Sequence, residues 1–592
     1  MSEQLKNLPV GNGDFEKIIS SDYYYVDKTS LLKTIFKDDS SEGLLITRPR
    51  RFGKTLTLDM FKCFLALNPQ NPQDKSKQER LFCDKQIYKD KDFIKEFMGE
   101  YPVITVSFKD VGSDTFDDSF FDISLIIRNL YGKYLYLLDS NVLNQADKEN
   151  FNDIYSSKIV LNDPAYTNNI KNSLKTLAEL LYKHHQKQVI LLIDEYDVPL
   201  SKASAYGYYE KMLPLVRGLL SVLKDGDTFL YKSVVTGCLR VVKESIFTGV
   251  NNLDVNTVLS KNEKLNNSIG FTQEETQQIL EYYHLSDFQE MVKNWYDGYN
   301  FYNCEIYSAW DVIKFVSAAL NIGDLNNLTP ENHWVNTSSN DIIKEFLGHI
   351  TSEDAEAFQT LVDGGSVIKR INPFVTYEDL KSHTSEDFYS MLLYTGYLTV
   401  ADFSTYTEAD YNADLRIPNE SVRQCFKHNI YDYFTSSPSG TDTSVKMVDA
   451  IFNKDAEALG DIISEALNTY ISVRDFSCNA KKEYYYHAFL NGRFSCMGHK
   501  IVNYSSNGES GDGYADIMFT DTVKKIGVVI ELKVSTDGTL AAAADRALSQ
   551  IEEKNYAGVL ENKFCVEKVY CYGIAFKGKK CVVRFKELNT SL

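Results

Sequence analysis

Gly43-Leu44-Leu45-Ile46-Thr47-Arg48-Pro49-Arg50-Arg51-Phe52-Gly53-Lys54-Thr55 starts as an apolar run, crosses a basic loop and ends on Gly-Lys-Thr, just before the helical stretch Leu56–Leu65. Strand, loop and helix in that order are what a phosphate-binding loop requires. Backbone N–H groups of the loop and the helix N-terminus point at the phosphates, where the helix dipole favours negative charge. Lys54 is placed to reach the β- and γ-phosphates, and the Thr55 hydroxyl to ligate Mg2+. Arg48 stands where the usual pattern has its first glycine. With Arg50 and Arg51 it reads as extra positive charge near phosphate, an exposed basic loop being the alternative. Phe52 and Gly53 complete the candidate nucleotide-binding loop.

The second half of the signal lies far downstream. Val189-Ile190-Leu191-Leu192-Ile193 is an apolar strand that ends in Asp194-Glu195. A carboxylate there holds Mg2+, and its neighbour polarises an attacking water, so Asp194 is a metal and nucleotide residue and Glu195 a catalytic one. A later strand ends in Thr236-Gly237. Thr236 occupies a place from which to contact the γ-phosphate, and Arg240 one from which to stabilise charge; capping and surface roles are the alternatives.

Around these motifs, Gly43–Thr47, Val103–Phe108, Gln188–Asp194 and Lys232–Gly237 read as buried parallel strands, alternating with helical segments such as Ser173–His184. That alternation predicts an α/β fold, a parallel sheet with helices on both faces, over residues 1–260. The strand signal then fades. Gln273–Tyr283, Ser286–Trp295 and Ser308–Leu320 read as amphipathic helices, predicting a mostly helical middle region over 261–440.

From 441 to 592 a second α/β unit is expected. Ala515–Thr520 and Ile526–Val534 read as a hairpin, followed by the Ala-rich helix Gly538–Asn555 and by strands near Lys568–Ala575 and Cys581–Phe585. Along the second strand a two-residue period places Glu531 and Lys533 on one face. A hairpin partner brings Asp516 beside them. Two carboxylates for Mg2+, Asp516 and Glu531, with a lysine to position water, are what phosphodiester hydrolysis needs. Gln550 shares a helix face with Ala543 and Ala547 and can reach the same place. Glu483, ahead of Tyr484-Tyr485-Tyr486-His487, is a further acidic candidate; His487 reads as buried or hydrogen-bonded in preference to a catalytic assistant.

Tyr25-Val26-Asp27-Lys28-Thr29, the Arg48–Thr55 loop, Ile193-Asp194-Glu195-Tyr196-Asp197 and Trp295-Tyr296-Asp297-Gly298-Tyr299 follow one another in that order. Together they resemble bacterial AAA-ATPase-like proteins that carry a C-terminal PD-(D/E)XK nuclease-superfamily domain. The resemblance runs from about Leu8 to Phe585, and Ser506–Gly513 adds to it. It implies an N-terminal P-loop NTPase, a restriction-endonuclease-like C-terminal domain, and Glu483 as the acidic residue such domains often place there. An arginine in place of the loop's first glycine is usual in that family.

Composition narrows the rest. The 592 residues exceed one hydrophobic core, so several domains are expected, and 43% hydrophobic and 24% charged residues are ordinary for globular chains. A net charge of −19 argues against nonspecific coating of nucleic acid but leaves room for a local basic channel. No run of about twenty apolar residues predicts a membrane span. The ten cysteines form no Cys-x-x-Cys pair, and His487, Cys496 and His499 match no zinc spacing, so reduced thiols and a cytoplasmic setting are expected. The expectation is an ATP- and Mg2+-binding protein that hydrolyses DNA or RNA under nucleotide control, with a homo-oligomer as its own partner. The alternative is a nucleotide-switched recognition or signalling protein whose nuclease-like domain only binds.

Overall fold

A computed structural model describes residues 5–589 apart from 225–227, 241–252, 334–351, 383, 408, 436–439, 471–482, 495, 496, 498, 499, 511, 512, 522–524, 536, 537 and 565. The chain divides into two compact units, one of residues 1–333 with 368–422, the other of 334–367 with 423–592.

In the first unit, β1 (Gly43–Thr47), β2 (Val103–Ser107), β3 (Val189–Asp194), β4 (Leu230–Gly237) and β5 (Leu253–Asn256) form a parallel sheet in the order β2-β3-β4-β1-β5. Every residue of β1 and β3 is buried, which explains why both are unbroken apolar runs instead of alternating ones. Because all five strands point one way, Thr47, Ser107, Asp194, Gly237 and Asn256 gather along one edge, where ligands of such sheets bind. The helix Pro164–His185 shows how sequence sets its own limits. Asp163 caps it by accepting from Tyr166 N, Pro164 occupies the first turn, and Ile170, Leu174, Leu177 and Leu181 form its buried stripe.

The expected middle region does not stand apart. Helices Gln273–Tyr282, Gln289–Tyr296 and Ala309–Asn321 bury Ile279, Tyr296, Val312 and Phe315 together with Leu8, Tyr24 and Val26 from the start of the chain. Their apolar faces find cover there. Nor is the region only helical. It contains the short hairpin β6 (Tyr299–Asn300) and β7 (Glu305–Ile306), and a small sheet of β8 (Ser366–Arg370), β9 (Thr399–Asp402) and β10 (Asn412–Arg416) in the order β8-β10-β9. The Trp295–Tyr299 motif is a packing hub. Asn419 Nδ2 donates to Asp297 O at 2.8 Å and Arg416 to Gly298 O at 3.1 Å. Gly298 has φ +90°, and a Cβ there would strike the Pro418 carbonyl, so no other residue fits.

The second unit is built on β11 (Val502–Ser510), β12 (Gly513–Asp521), β13 (Ile526–Val534), β14 (Lys568–Lys577) and β15 (Lys580–Asn589), in that spatial order. All pairs are antiparallel except β13 and β14, which the helix Leu540–Glu553 connects in parallel. The period of two separates the faces. Val528, Ile530 and Leu532 pack with Met447, Ile463 and Leu490 from the preceding helices, while Val529 packs with Ile551 and Tyr556. No described helix is long and apolar enough to cross a membrane.

Candidate functional site

At the edge of the first sheet, the chain leaves β1 through Arg48 and turns into the helix Lys54–Leu65. Gly53 caps that helix at φ +94° with nothing near its missing Cβ, so glycine serves the backbone angle alone. Arg51 also lies at positive φ, +75°. Lys54 Nζ donates to the carbonyls of Arg48 and Pro49, both at 2.9 Å, bracing the loop from within. Thr55 Oγ1 donates to one oxygen of Asp194 at 2.7 Å, and Thr236 Oγ1 to the other at 2.7 Å. The ends of β1, β3 and β4 are thereby tied to one carboxylate. Glu195 follows at φ +50°; burial pushes its carboxyl above the ordinary value, against the pull of the Lys54 ammonium.

A cavity of about 390 Å³ opens onto the loop. Gly53, Lys54, Thr55, Lys109 and Glu195 line it together with Tyr24, Phe271, Trp310 and Ile313. Pro9 to Gly13 and the Tyr25–Lys28 segment contribute a wall to which the sequence alone assigns no role. Lys28 is held there by Glu275 at 2.6 Å and by the Asn267 carbonyl at 2.9 Å. The remainder of the Ile193–Asp197 motif is structural. Asp197 accepts from Cys238 N and Leu239 N, each at 3.0 Å, and from the Tyr377 hydroxyl at 3.1 Å.

Four residues read as phosphate or charge contacts are held by protein partners, Phe52 among them although it also lines the cavity. The Arg48 guanidinium is fully buried, away from the cavity, donating to Asn256 Oδ1 at 2.5 Å and Asn266 Oδ1 at 2.8 Å, 5.1 Å from the Phe301 ring centre. It replaces a glycine because it fastens the loop to β5 and to the short helix Glu263–Asn266, not because it meets an anion. Arg50 is half-buried and interacts with Cys238, Tyr377, Glu195 and Asp197. Phe52 packs its ring against Tyr299 and Phe301. Arg240 lies over Phe374 at 5.0 Å, carried there by the turn that Asp197 holds. Arg51 does line the cavity, with its guanidinium on the His333 carbonyl, 3.9 Å from Asp311. Arg48→Ala and Arg48→Gly are therefore both expected to cost on the order of 3 kcal/mol by stranding the Asn256 and Asn266 side chains. Urea unfolding of the nucleotide-free variants measures this; a glycine variant as stable as the parent contradicts the anchoring role.

In the second unit the hairpin brings Asp516 opposite Glu531, one step beyond the paired Ile517 and Ile530. Asp516 Oδ2 accepts from Leu532 N at 2.7 Å. Lys533 Nζ donates to Glu531 Oε1 at 3.2 Å, and Gln550 Nε2 donates to the same oxygen. Gln550 gets there because the helix sits directly on the sheet. Ala543, Ala544 and Ala547 face it, and a Cβ on Gly573, the β14 partner of Glu531, would fall 2.7 Å from Leu548 N. His487 is buried, its Nε2 at 2.9 Å from Asp516 O and 3.2 Å from Ser506 Oγ. Glu483 opens the helix Glu483–Phe494, but its side chain lies outside the described residues, as do Cys496 and His499.

Glu531 is 2% exposed, and its Oε2 has no hydrogen-bond partner. Burial first, and the Asp516 carboxylate second, push its carboxyl up to about 8 from an ordinary 4.5, against Lys533. A buried oxygen so placed, beside a second carboxylate, fits a hard divalent cation, and Mg2+ completes its shell with water and substrate oxygens. Among the described residues no three His, Cys, Asp or Glu side chains gather around an ion.

Two clusters of different make-up thus sit in two units, one around Thr55, Asp194 and Thr236 and one around Asp516, Glu531, Lys533 and Gln550. Residues 9–247 match the family described as predicted AAA-ATPase, and residues 481–586 match the PD-(D/E)XK nuclease superfamily. The chain carries an AAA-ATPase-like domain and, C-terminal to it, a PD-(D/E)XK nuclease-superfamily domain. It is also similar to a protein of Azotobacter chroococcum mcd 1 described as an uncharacterized protein in the vnfD 5' region, at 27% identity over 313 residues, 52% of this chain and 51% of the relative. The chain therefore spans about half the length of that relative.

Proposed function

We propose that this chain is a nuclease under nucleotide control, with ATP and Mg2+ bound in the first unit and nucleic acid cut in the second. Glu531 carries the reading: a buried carboxylate with one oxygen unpartnered, Asp516 opposite it, and Lys533 and Gln550 both holding its other oxygen. Asp516 and Glu531 are the residues to hold Mg2+, which supplies a Lewis acid to the phosphodiester. Gln550 and Lys533 orient Glu531, Leu532 N orients Asp516, and the Lys533 ammonium is the group to position water. In the first unit Thr55 and Asp194 are the Mg2+ residues, Lys54 meets phosphate, Glu195 polarises water, and Thr236 acts through Asp194. The aromatic side chains Tyr24, Phe271 and Trp310 in the cavity lining suit a nucleobase. Free thiols at every described cysteine accord with a cytoplasmic setting.

The test is cleavage of single- and double-stranded DNA and RNA with Mg2+ or Mn2+, with and without ATP, on the parent and Asp516→Ala. The proposal expects metal-dependent cleavage that ATP changes and Asp516→Ala removes. Intact substrates under all conditions overturn it. They would favour a second reading, nucleotide-switched recognition by a domain that binds without cutting. Size-exclusion chromatography with and without ATP then reports whether a homo-oligomer forms.

A further inference from the structure

Four cations line the cavity of the first unit: Lys28, Arg51, Lys54 and Lys109. Three have partners. Lys28 is paired with Glu275, Arg51 lies near Asp311 and on a backbone carbonyl, and Lys54 is braced by two loop carbonyls. Among the described residues, Lys109 is the cavity cation whose ammonium has neither a carboxylate nor a carbonyl to bind. Its backbone position is set by the sheet. β2 pairs with β3 so that Ser107 lies opposite Asp194, and Phe108 N donates to Asp194 O at 3.1 Å. Lys109 is therefore the first residue past that bond, in the turn that follows β2, beside the strand that carries Asp194, and it lines the cavity together with Gly53, Lys54, Thr55 and Glu195.

An unpaired, exposed ammonium at that place has one kind of partner to find in a nucleotide: the terminal, most highly charged phosphate. We propose that Lys109 is the contact that distinguishes a nucleoside triphosphate from a diphosphate, so that the turn after β2 reads the γ-phosphate and supplements Lys54. The inference rests on the nucleotide-binding reading above and adds a residue and a specificity to it. A single charge-assisted contact of this kind is worth about tenfold in affinity, or about 1.4 kcal/mol.

The experiment is calorimetric titration of the full chain with Mg·ATP and with Mg·ADP, on the parent, Lys109→Met and Lys109→Arg. Lys109→Met is expected to weaken ATP about tenfold and leave ADP unchanged, while Lys109→Arg keeps most of the preference. Lys109 is exposed, so the nucleotide-free variants are expected to melt with the parent. Equal ATP affinity in the parent and Lys109→Met overturns the inference, as does equal loss of both nucleotides. A parent that binds neither nucleotide overturns the nucleotide reading itself, and Lys109 with it.

Discussion

Glu531→Gln is expected to lower metal-dependent cleavage on the order of 10³-fold, equivalent to roughly 4 kcal/mol of lost transition-state stabilisation, while ATP affinity stays that of the parent. Glutamine keeps the shape and can still accept from Lys533, but it can never lose a proton to offer a cation a charged oxygen at the buried, unpartnered position. Cleavage rates and Mg2+ titration calorimetry check it; parent-like metal affinity in the variant would remove Glu531 from the site. The pH dependence is a second handle on the same residue. The folded, metal-free protein keeps a proton on Glu531 up to about 8, whereas the unfolded chain releases it near 4.5. Between those values the folded state binds more protons, so this group's contribution to stability is lost as pH rises through the window. Metal binding runs the opposite way, tightening as the carboxyl deprotonates and releasing a proton as it does so. Glu531→Gln should flatten both slopes.

Lys54→Ala is expected to weaken ATP binding about 100-fold, near 2.8 kcal/mol, since it removes a charged donor from the phosphates. At ATP one hundred times above its dissociation constant, the parent gains about 2.7 kcal/mol and melts roughly 3 °C higher; the variant gains almost nothing at the same concentration. The shift with nucleotide is the quantity to compare, because Lys54 also braces the Arg48 and Pro49 carbonyls and its loss lowers the baseline. If ATP controls the nuclease, the variant's cleavage no longer responds to ATP. An unchanged melting shift in Lys54→Ala would show that the nucleotide, if bound, sits elsewhere.

Much of this was legible in residue order. Buried parallel strands announce themselves as apolar runs, and β1, β2, β3 and β4 coincide with Gly43–Thr47, Val103–Phe108, Gln188–Asp194 and Lys232–Gly237 to within two residues. The period of two placed Glu531 and Lys533 on one face and Asp516 across from them, and a helical repeat placed Gln550 above. What sequence hid has physical causes. β5 alternates Leu253, Asp254, Val255 and Asn256 but is only four residues long, too short for the alternation to stand out, and β11 is a polar edge strand without an apolar rhythm. An arginine in a phosphate loop looks like an anion contact; only the tertiary approach of Asn256 and Asn266 shows Arg48 turned inward. The amphipathic helices after residue 260 have the pattern of an independent domain, and the pattern does not say that Leu8, Tyr24 and Val26 complete their core. The cavity's second wall was missed for the same reason, being some thirty residues upstream of the loop it faces.

The internal fastening of the phosphate loop bears on how fast and how selectively it can act. Lys54 rests on its own loop's carbonyls, Arg48 is locked below, and Phe52 is wedged among aromatic rings. For a nucleotide to bind there Lys54 would have to exchange those carbonyls for phosphate, while the backbone held by Arg48 and Phe52 is already in place, so the ordering cost of capture is confined to one side chain. Selectivity is then left to the parts that are not fastened, of which the Lys109 side chain is one.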